Sequence, residues 1–300
     1  MLDGLPDKAR VAVIRLRSLG DCVLTTPALS ILKRTRPDLQ IGVAVEPRFA
    51  AVFEGNPDVS ALLDPTPSAI FRYRPDLCLN LHGGSRSMWM TLASTARARA
   101  GFAHHKASWI YNHPIPRAQQ ILGEERPVHT AEHLASAIFF LGAPISEIPR
   151  ASLFADPRPR RTPYAVIHPI AATPAKTWRA EGFKLLAEHL QREHNLEPVF
   201  IAGPGEDLSH FGSFRTIAGA PLQETKSLLQ GASLFVGNDS GPAHMAAAFG
   251  IPVVVLFGPS DPIAWAPWRT ANEVLVNKTD IQQIAPEDVI HAVDCLKVRA

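Results

Sequence analysis

Acidic residues are missing from one long stretch of this chain. Leu77–Gly123 holds no aspartate or glutamate, although 28 acids spread evenly over 300 residues would place about four there. Cysteine is scarce as well: Cys22, Cys78 and Cys295 are odd in number and far apart. That excludes a disulfide framework and a cysteine zinc site, and it fits a reducing compartment. No apolar run approaches the ~20 residues of a membrane span. The opening MLDGLPDKAR carries acids and a proline where a secretion signal needs an apolar stretch, so a cytoplasmic protein is expected. A net charge of only +2 argues against a bulk polyanion binder, and no nucleic-acid partner is expected. There is no Asp-x-Asp metal motif, no low-complexity tract and no short repeat.

What is present alternates apolar strands with helices. Val11–Leu16 reads as a buried strand, followed by a loop at 17–21 and a helix over about Val23–Thr35. Ile41–Val45 and Leu77–Leu81 read as strands, with helices from about Ser87 and over Thr130–Leu141. Asp156–Pro163, DPRPRRTP, has no apolar periodicity and reads as a linker. The pattern then restarts: strands Tyr164–His168, Pro198–Ala202, Leu234–Gly237 and Val253–Phe257 alternate with helices over Glu181–Glu193, Gln223–Gln230, Ala243–Phe249 and Pro286–Leu296. Such alternation means parallel sheets covered on both faces. The expected class is α/β, with two Rossmann-like domains facing a central cleft. The expected boundaries are 1–155 and 156–300, with 286–300 crossing back onto the first domain.

In open parallel sheets, ligands sit beyond the carboxyl ends of the strands. Asn238-Asp239-Ser240-Gly241-Pro242 lies at such an end and also opens a helix. Gly241 lets a ligand approach the backbone, and the free N–H groups of a helix start favour a phosphate. A plain helix cap by Asp239 or Ser240 is the simpler reading. It leaves unexplained why two other strand ends, Gly203-Pro204-Gly205-Glu206-Asp207 and Gly258-Pro259-Ser260-Asp261, are also polar and glycine-rich. Together they suggest a nucleotide pocket, with Glu206 on ribose hydroxyls.

Three segments carry a specific resemblance. GNDSGPAHMAAAFGIPVVVLFGPSDP, VIRLRSLGDCVLTTPALSILKRTRPDLQIGVAVEP and IHPIAATPAKTWRAEGFKLLAEHL resemble motifs of the ADP-heptose–lipopolysaccharide heptosyltransferases, glycosyltransferase family 9. DLCLNLHGGSRS and RARAGF match weaker patterns of the same family, and the similarity spans about Val11–Trp268. The resemblance implies a GT-B enzyme that moves heptose from ADP-heptose with inversion, without a metal or other cofactor. It implies Asp21 as general base and Lys176 as the cation on the departing diphosphate. It assigns Asp239, Ser240 and Gly241 to the donor's heptose and diphosphate. The residues themselves add a Thr173 hydroxyl for a phosphate and Glu206 for the ribose, and His244 either reaches a phosphate or packs under the loop. Ala171-Ala172-Thr173-Pro174 departs from the family's consecutive hydroxyl residues before the lysine, so fewer phosphate contacts are expected there.

The acid-poor stretch carries Arg86, Arg97, Arg99, Lys106 and Arg117, with His82, His104, His105 and His113. Arg86, Arg97 and Arg99 are the expected binders of an anionic lipid-linked saccharide at the membrane surface. The protein would then be cytoplasmic and peripheral to the inner membrane, with a monomer as the default state. Three competing functions fit parts of the sequence. His129-Thr130-Ala131-Glu132-His133 spells a zinc-protease pattern without an evident third ligand. The donor loops would also suit a transferase that uses a different nucleotide sugar, or a non-catalytic relative that only binds one. Asp21 and Lys176 both being present speaks against a non-catalytic relative.

Overall fold

The structure is a computed structural model and describes residues 1–156 and 162–296; most of the expected linker lies outside the described residues. The chain divides into two compact units, Met1–Phe154 and Ala155–Ala300.

The first unit has strands β1 (Arg10–Ile14), β2 (Gln40–Ala44), β3 (Ala61–Leu63), β4 (Leu77–Asn80), β5 (Ala98–Phe102) and β6 (His113–Ile115). They form one parallel sheet in the order β3-β2-β1-β4-β5-β6. Helices α1 (Leu19–Thr35), α2 (Pro67–Tyr73), α3 (Ser85–Ala93), α4 (Ala118–Leu122) and α5 (Thr130–Phe140) accompany it. Central strands β1 and β4 read RVAVI and LCLN, with every residue but Arg10 buried, as a sheet covered on both faces requires. Pro27 lies inside α1 and has no N–H to give the carbonyl of Val23. The Thr26 hydroxyl donates to that carbonyl instead, at 2.8 Å, which satisfies the group the proline leaves open.

The second unit repeats the plan with β7 (Tyr164–His168), β8 (Glu197–Ala202), β9 (Arg215–Ala218), β10 (Leu234–Asn238), β11 (Val253–Phe257) and β12 (Asn272–Val276). Its helices are α6 (Ala180–Glu193), α7 (Leu222–Gln230), α8 (Gly241–Ala248), α9 (Pro262–Trp265) and α10 (Pro286–Cys295). The order β12-β11-β10-β7-β8-β9 is the same winding as in the first unit, and all pairs are parallel. Its core joins Phe183, Leu186 and Leu190 of α6 to Val289 and Val293 of α10 and to the sheet. The buried face of α10 thus packs on α6. Each such leucine or phenylalanine contributes about 1.5–3 kcal/mol by leaving water.

Both sheets place a topological switch point in a defined position. In the first unit the chain winds outward from β1 one way and from β4 the other. In the second it does so from β7 and β10. The loops leaving those paired strands diverge and open a crevice at their carboxyl ends, where ligands of this architecture bind.

Candidate active site

At the switch point of the second unit, the loop after β7 meets the loop after β10. Lys176 Nζ donates to Asp239 Oδ2 at 2.9 Å, with the Asp239 carboxylate mostly shielded. Asn238, at the last position of β10, fixes this geometry. Its Oδ1 accepts from the Trp178 backbone N–H at 3.0 Å and its Nδ2 donates to the Pro169 carbonyl at 2.9 Å. Trp178 is buried, and its Nε1 donates to the Ile284 carbonyl at 3.0 Å. The Lys-x-Trp pattern therefore has a physical basis, with the tryptophan anchoring a loop that presents the lysine. Gly258 lets that loop pass: a Cβ there would collide with the carbonyl oxygen of Ala175.

Ser240 occupies the cap position of α8 but makes no capping bond with its side chain. Its hydroxyl instead meets His168 Nδ1 at 3.0 Å. His168 Nε2 lies 4.0 Å from Glu206 Oε2, and that same oxygen accepts from the Gly203 N–H at 2.6 Å. His168, absent from the expected set, thus stands between two residues that belong to it. Gly241 opens α8, and His244 is buried in its first turn. Thr173 is exposed at the start of a short turn, Pro174–Lys176, and its carbonyl accepts from the Lys176 N–H at 3.0 Å. The Ser260 hydroxyl, after β11, is buried without a protein partner.

The switch point of the first unit holds Asp21. The sequence reading puts Asp21 on a loop, but α1 starts four residues earlier than expected and Asp21 falls in its first turn. Its Oδ2 accepts from the Ser18 N–H at 3.3 Å and hydroxyl at 2.9 Å, a capping box, while Oδ1 accepts from buried Arg15 at 3.1 Å. His82, just past β4, has its pKa lowered by burial and by the charge of Arg15, partly offset by Asp21. Beyond β5, His105 Nδ1 meets the Tyr111 hydroxyl at 3.2 Å, and His104 feels the charge of Arg117 at the start of α4. The His133 ring stacks on Phe102 with centroids 3.9 Å apart. The carboxyl end of this sheet is therefore lined with imidazoles and arginines.

The three arginines expected on the acceptor part company. Arg86 opens α3 at the carboxyl end of β4, pairing with Glu46 at 3.1 Å and donating to the Pro65 carbonyl at 2.9 Å. Arg97 and Arg99 sit at the opposite, amino end of β5, level with Cys78 in mid-β4 or earlier. Arg99 is spent on backbone: it donates to the carbonyls of Ile110 and Ala96, both at 3.0 Å. The Arg97 carbonyl accepts from Asn112 at 2.7 Å. Arg97 and Arg99 thus stand at the amino end of the sheet, away from Arg86.

Residues 68–287 match the family model described as glycosyltransferase family 9 (heptosyltransferase). The chain belongs to glycosyltransferase family 9. It is 27% identical to lipopolysaccharide heptosyltransferase 3 of Escherichia coli K12, covering 94% of this chain and 96% of that one. The fold is shared with a family 9 glycosyltransferase from Veillonella parvula (21% identity, 96% and 97% of the chains, TM-score 0.84). It is also shared with the E. coli heptosyltransferase WaaC solved with ADP (17% identity, 95% and 99%, TM-score 0.79). This family 9 glycosyltransferase accordingly has the GT-B class of fold, two Rossmann-like units.

In the family 9 chain the zinc-protease pattern serves to start a helix. His129 caps α5 through Nδ1, accepting from the Ala131 N–H at 3.1 Å. Glu132 accepts from the His129 N–H and pairs with Arg126 at 2.6 Å, and His133 turns to Phe102. His105, His133 and His168 are each pushed down to about 4, foremost by burial. In the unfolded chain they titrate near 6.5. Between those values the unfolded chain binds protons that the folded enzyme excludes. Stability is therefore complete above about pH 6.5 and is lost as pH falls toward 4. Thermal unfolding should show Tm at pH 4.5 lower than at pH 7.5 by about 5 °C or more. His133→Phe, which keeps the stack, should shrink the difference. An unchanged Tm would mean that these rings are not held neutral.

Proposed function

We propose that this enzyme transfers heptose from ADP-heptose to an anionic inner-core lipopolysaccharide acceptor, inverting the anomeric centre without a metal ion. The observation that carries the reading is the Lys176–Asp239 pair at the second unit's switch point, held there by Asn238 and Trp178. A fixed ammonium beside a helix start is the equipment for a departing diphosphate. The names of the relatives supply the sugar and nucleotide: the E. coli relative is a lipopolysaccharide heptosyltransferase, and a neighbour in fold was solved with ADP.

In this scheme the acceptor hydroxyl attacks the anomeric carbon and Asp21 takes its proton. The bond from that carbon to the diphosphate oxygen breaks, and the electron pair leaves with ADP. Lys176, the α8 start at Gly241 and the Ser240 hydroxyl stabilise the new charge. Asp239 orients the sugar and Glu206 meets the ribose, while His168 holds Ser240 in place. Thr173 and His244 complete the donor contacts. The acceptor's carboxylates and phosphates meet Arg86, Arg117 and the neighbouring imidazoles. Trp89 and Trp109, 60% and 76% exposed in the same acid-poor stretch, suit a membrane surface carrying that acceptor. No helix among the described residues is long and apolar enough to cross a membrane.

The test is acceptor-dependent release of ADP from ADP-heptose in the presence of EDTA. Turnover should require a core saccharide bearing its anionic groups. Arg117→Ala should raise acceptor KM and flatten its salt dependence. Turnover from a UDP-sugar instead, or loss of activity restored by a divalent metal, would overturn the scheme.

A further inference from the structure

On the face of the second unit formed by α6 and α10, three side chains converge that the transfer reaction does not use. His189 lies in the last turns of α6 and His194 is its C-cap. A five-residue spacing on a continuing helix would turn the two rings about 140° apart. Because His194 stands where the helix ends, its ring can come back beside that of His189, and the ring centroids are 5.3 Å apart. Asp294, on α10, completes the group. Both Nε2 atoms lie 2.8 Å from the same oxygen, Asp294 Oδ1. The ligating atoms all fall within 4.8 Å of one another, and no other such group of three occurs among the described residues.

We propose that His189, His194 and Asp294 form a binding site for one divalent ion of the zinc class, clamping α10 to α6. Two imidazoles and one carboxylate are a donor set suited to zinc, cobalt or nickel, whereas magnesium and calcium prefer oxygen alone. Tetrahedral zinc with bonds near 2.0–2.1 Å separates its ligand atoms by roughly 3.3 Å. The two 2.8 Å contacts therefore need to open by only about half an ångström. Each ring coordinates through the Nε2 lone pair with its proton on Nδ1, and water takes the fourth position. The two histidines are only 13% and 22% exposed, so their rings are already held, while Asp294, at 45%, faces solvent and leaves an entry path. The site is structural. His189 follows the start of α6 by nine residues, about 14 Å along the axis, and so lies far from the Lys176 loop. A plain pair of histidine caps on a shared aspartate is the competing account, since imidazolium also suits a helix C-terminus.

Zinc binding to the untagged full chain distinguishes the two. Equilibrium dialysis should find one zinc per chain with Kd in the micromolar range. His189→Ala and Asp294→Asn should each weaken it at least ~10-fold, by analogy with losses at other ligand shells. Cys295→Ser should leave it unchanged, although Cys295 Sγ lies 3.6 Å from His291 on the same helix. Zinc at about 100 times Kd should raise Tm by about 3 °C or more in the wild type and not in the two ligand variants, while magnesium should do nothing. Cobalt should give the visible absorption of a four-coordinate ion. Stoichiometry well below one, or equal zinc affinity in wild type, His189→Ala and Asp294→Asn, would reduce the cluster to an ion-paired cap.

Discussion

Asp21→Asn is expected to lower kcat for heptose transfer by about 10²- to 10⁴-fold, the range for loss of a general base. The asparagine oxygen can still accept from the two Ser18 donors, so the start of α1 should survive; its amide nitrogen then faces Arg15 and forfeits that bond, so Tm should fall by a few degrees. In the proposed scheme donor binding should be unchanged, because Asp21 lies in the first unit and the proposed donor residues lie in the second. The existing bonds leave room for chemistry. A carboxylate has about four lone-pair sites, and Arg15 with the two Ser18 donors takes three of them. The fourth is available to an acceptor hydroxyl. Asp21→Ala should lose both roles, adding roughly 1 kcal/mol of helix destabilisation to the kinetic loss. If Asp21→Asn kept full kcat while Asp21→Ala merely lowered Tm, Asp21 would be a cap and nothing more.

Lys176→Ala should cost about 10²- to 10³-fold in kcat and weaken ADP binding about 10-fold. In the proposed scheme the cation acts mainly on charge that grows as the sugar leaves, so the rate should suffer more than the affinity. A second effect follows from its partner. Asp239, 10% exposed, would lose the ammonium 2.9 Å away and face an incoming diphosphate as a bare negative charge. Lys176→Ala combined with Asp239→Asn should therefore bind ADP better than Lys176→Ala alone, a non-additivity that a double-mutant cycle measures directly. Lys176→Arg should recover part of the affinity, since the charge is kept while the rigid guanidinium fork fits the site poorly. Additive losses across the cycle would separate the two residues and remove the pair from the donor site.

The sequence shows those parts of the molecule whose cause is local. Central stretches such as VAVI and VVVLF are apolar throughout because both faces of each sheet are covered, and the restart after residue 163 marks the second unit. The strands β3, β5, β6, β9 and β12 are not evident in the sequence. ALL and HPI have three residues each, RTIA is largely exposed, and ARAGF interleaves arginine with small residues. Asp239, Ser240 and Lys176 are legible through their motifs. His168 is not, because it looks like the last residue of a strand and its partner Ser240 is 72 residues away. Asn238 is likewise hidden: its side chain is defined by Trp178, 60 residues earlier. The acid-free stretch is a real compositional signal, but composition carries no direction. It could not tell that Arg86 and Arg117 lie at the ligand end of the sheet while Arg97 and Arg99 lie at the other.

In the proposed scheme the second unit's switch point holds an adenine nucleotide through Lys176 without a metal. Calorimetric titration of ADP and of UDP into the enzyme in EDTA tests it most directly. ADP should bind in the micromolar range and at least ~10-fold more tightly than UDP, with the ADP heat strongly reduced in Lys176→Ala. UDP binding as tightly as ADP, or ADP binding indifferent to Lys176, would mean that this switch point is not an ADP site.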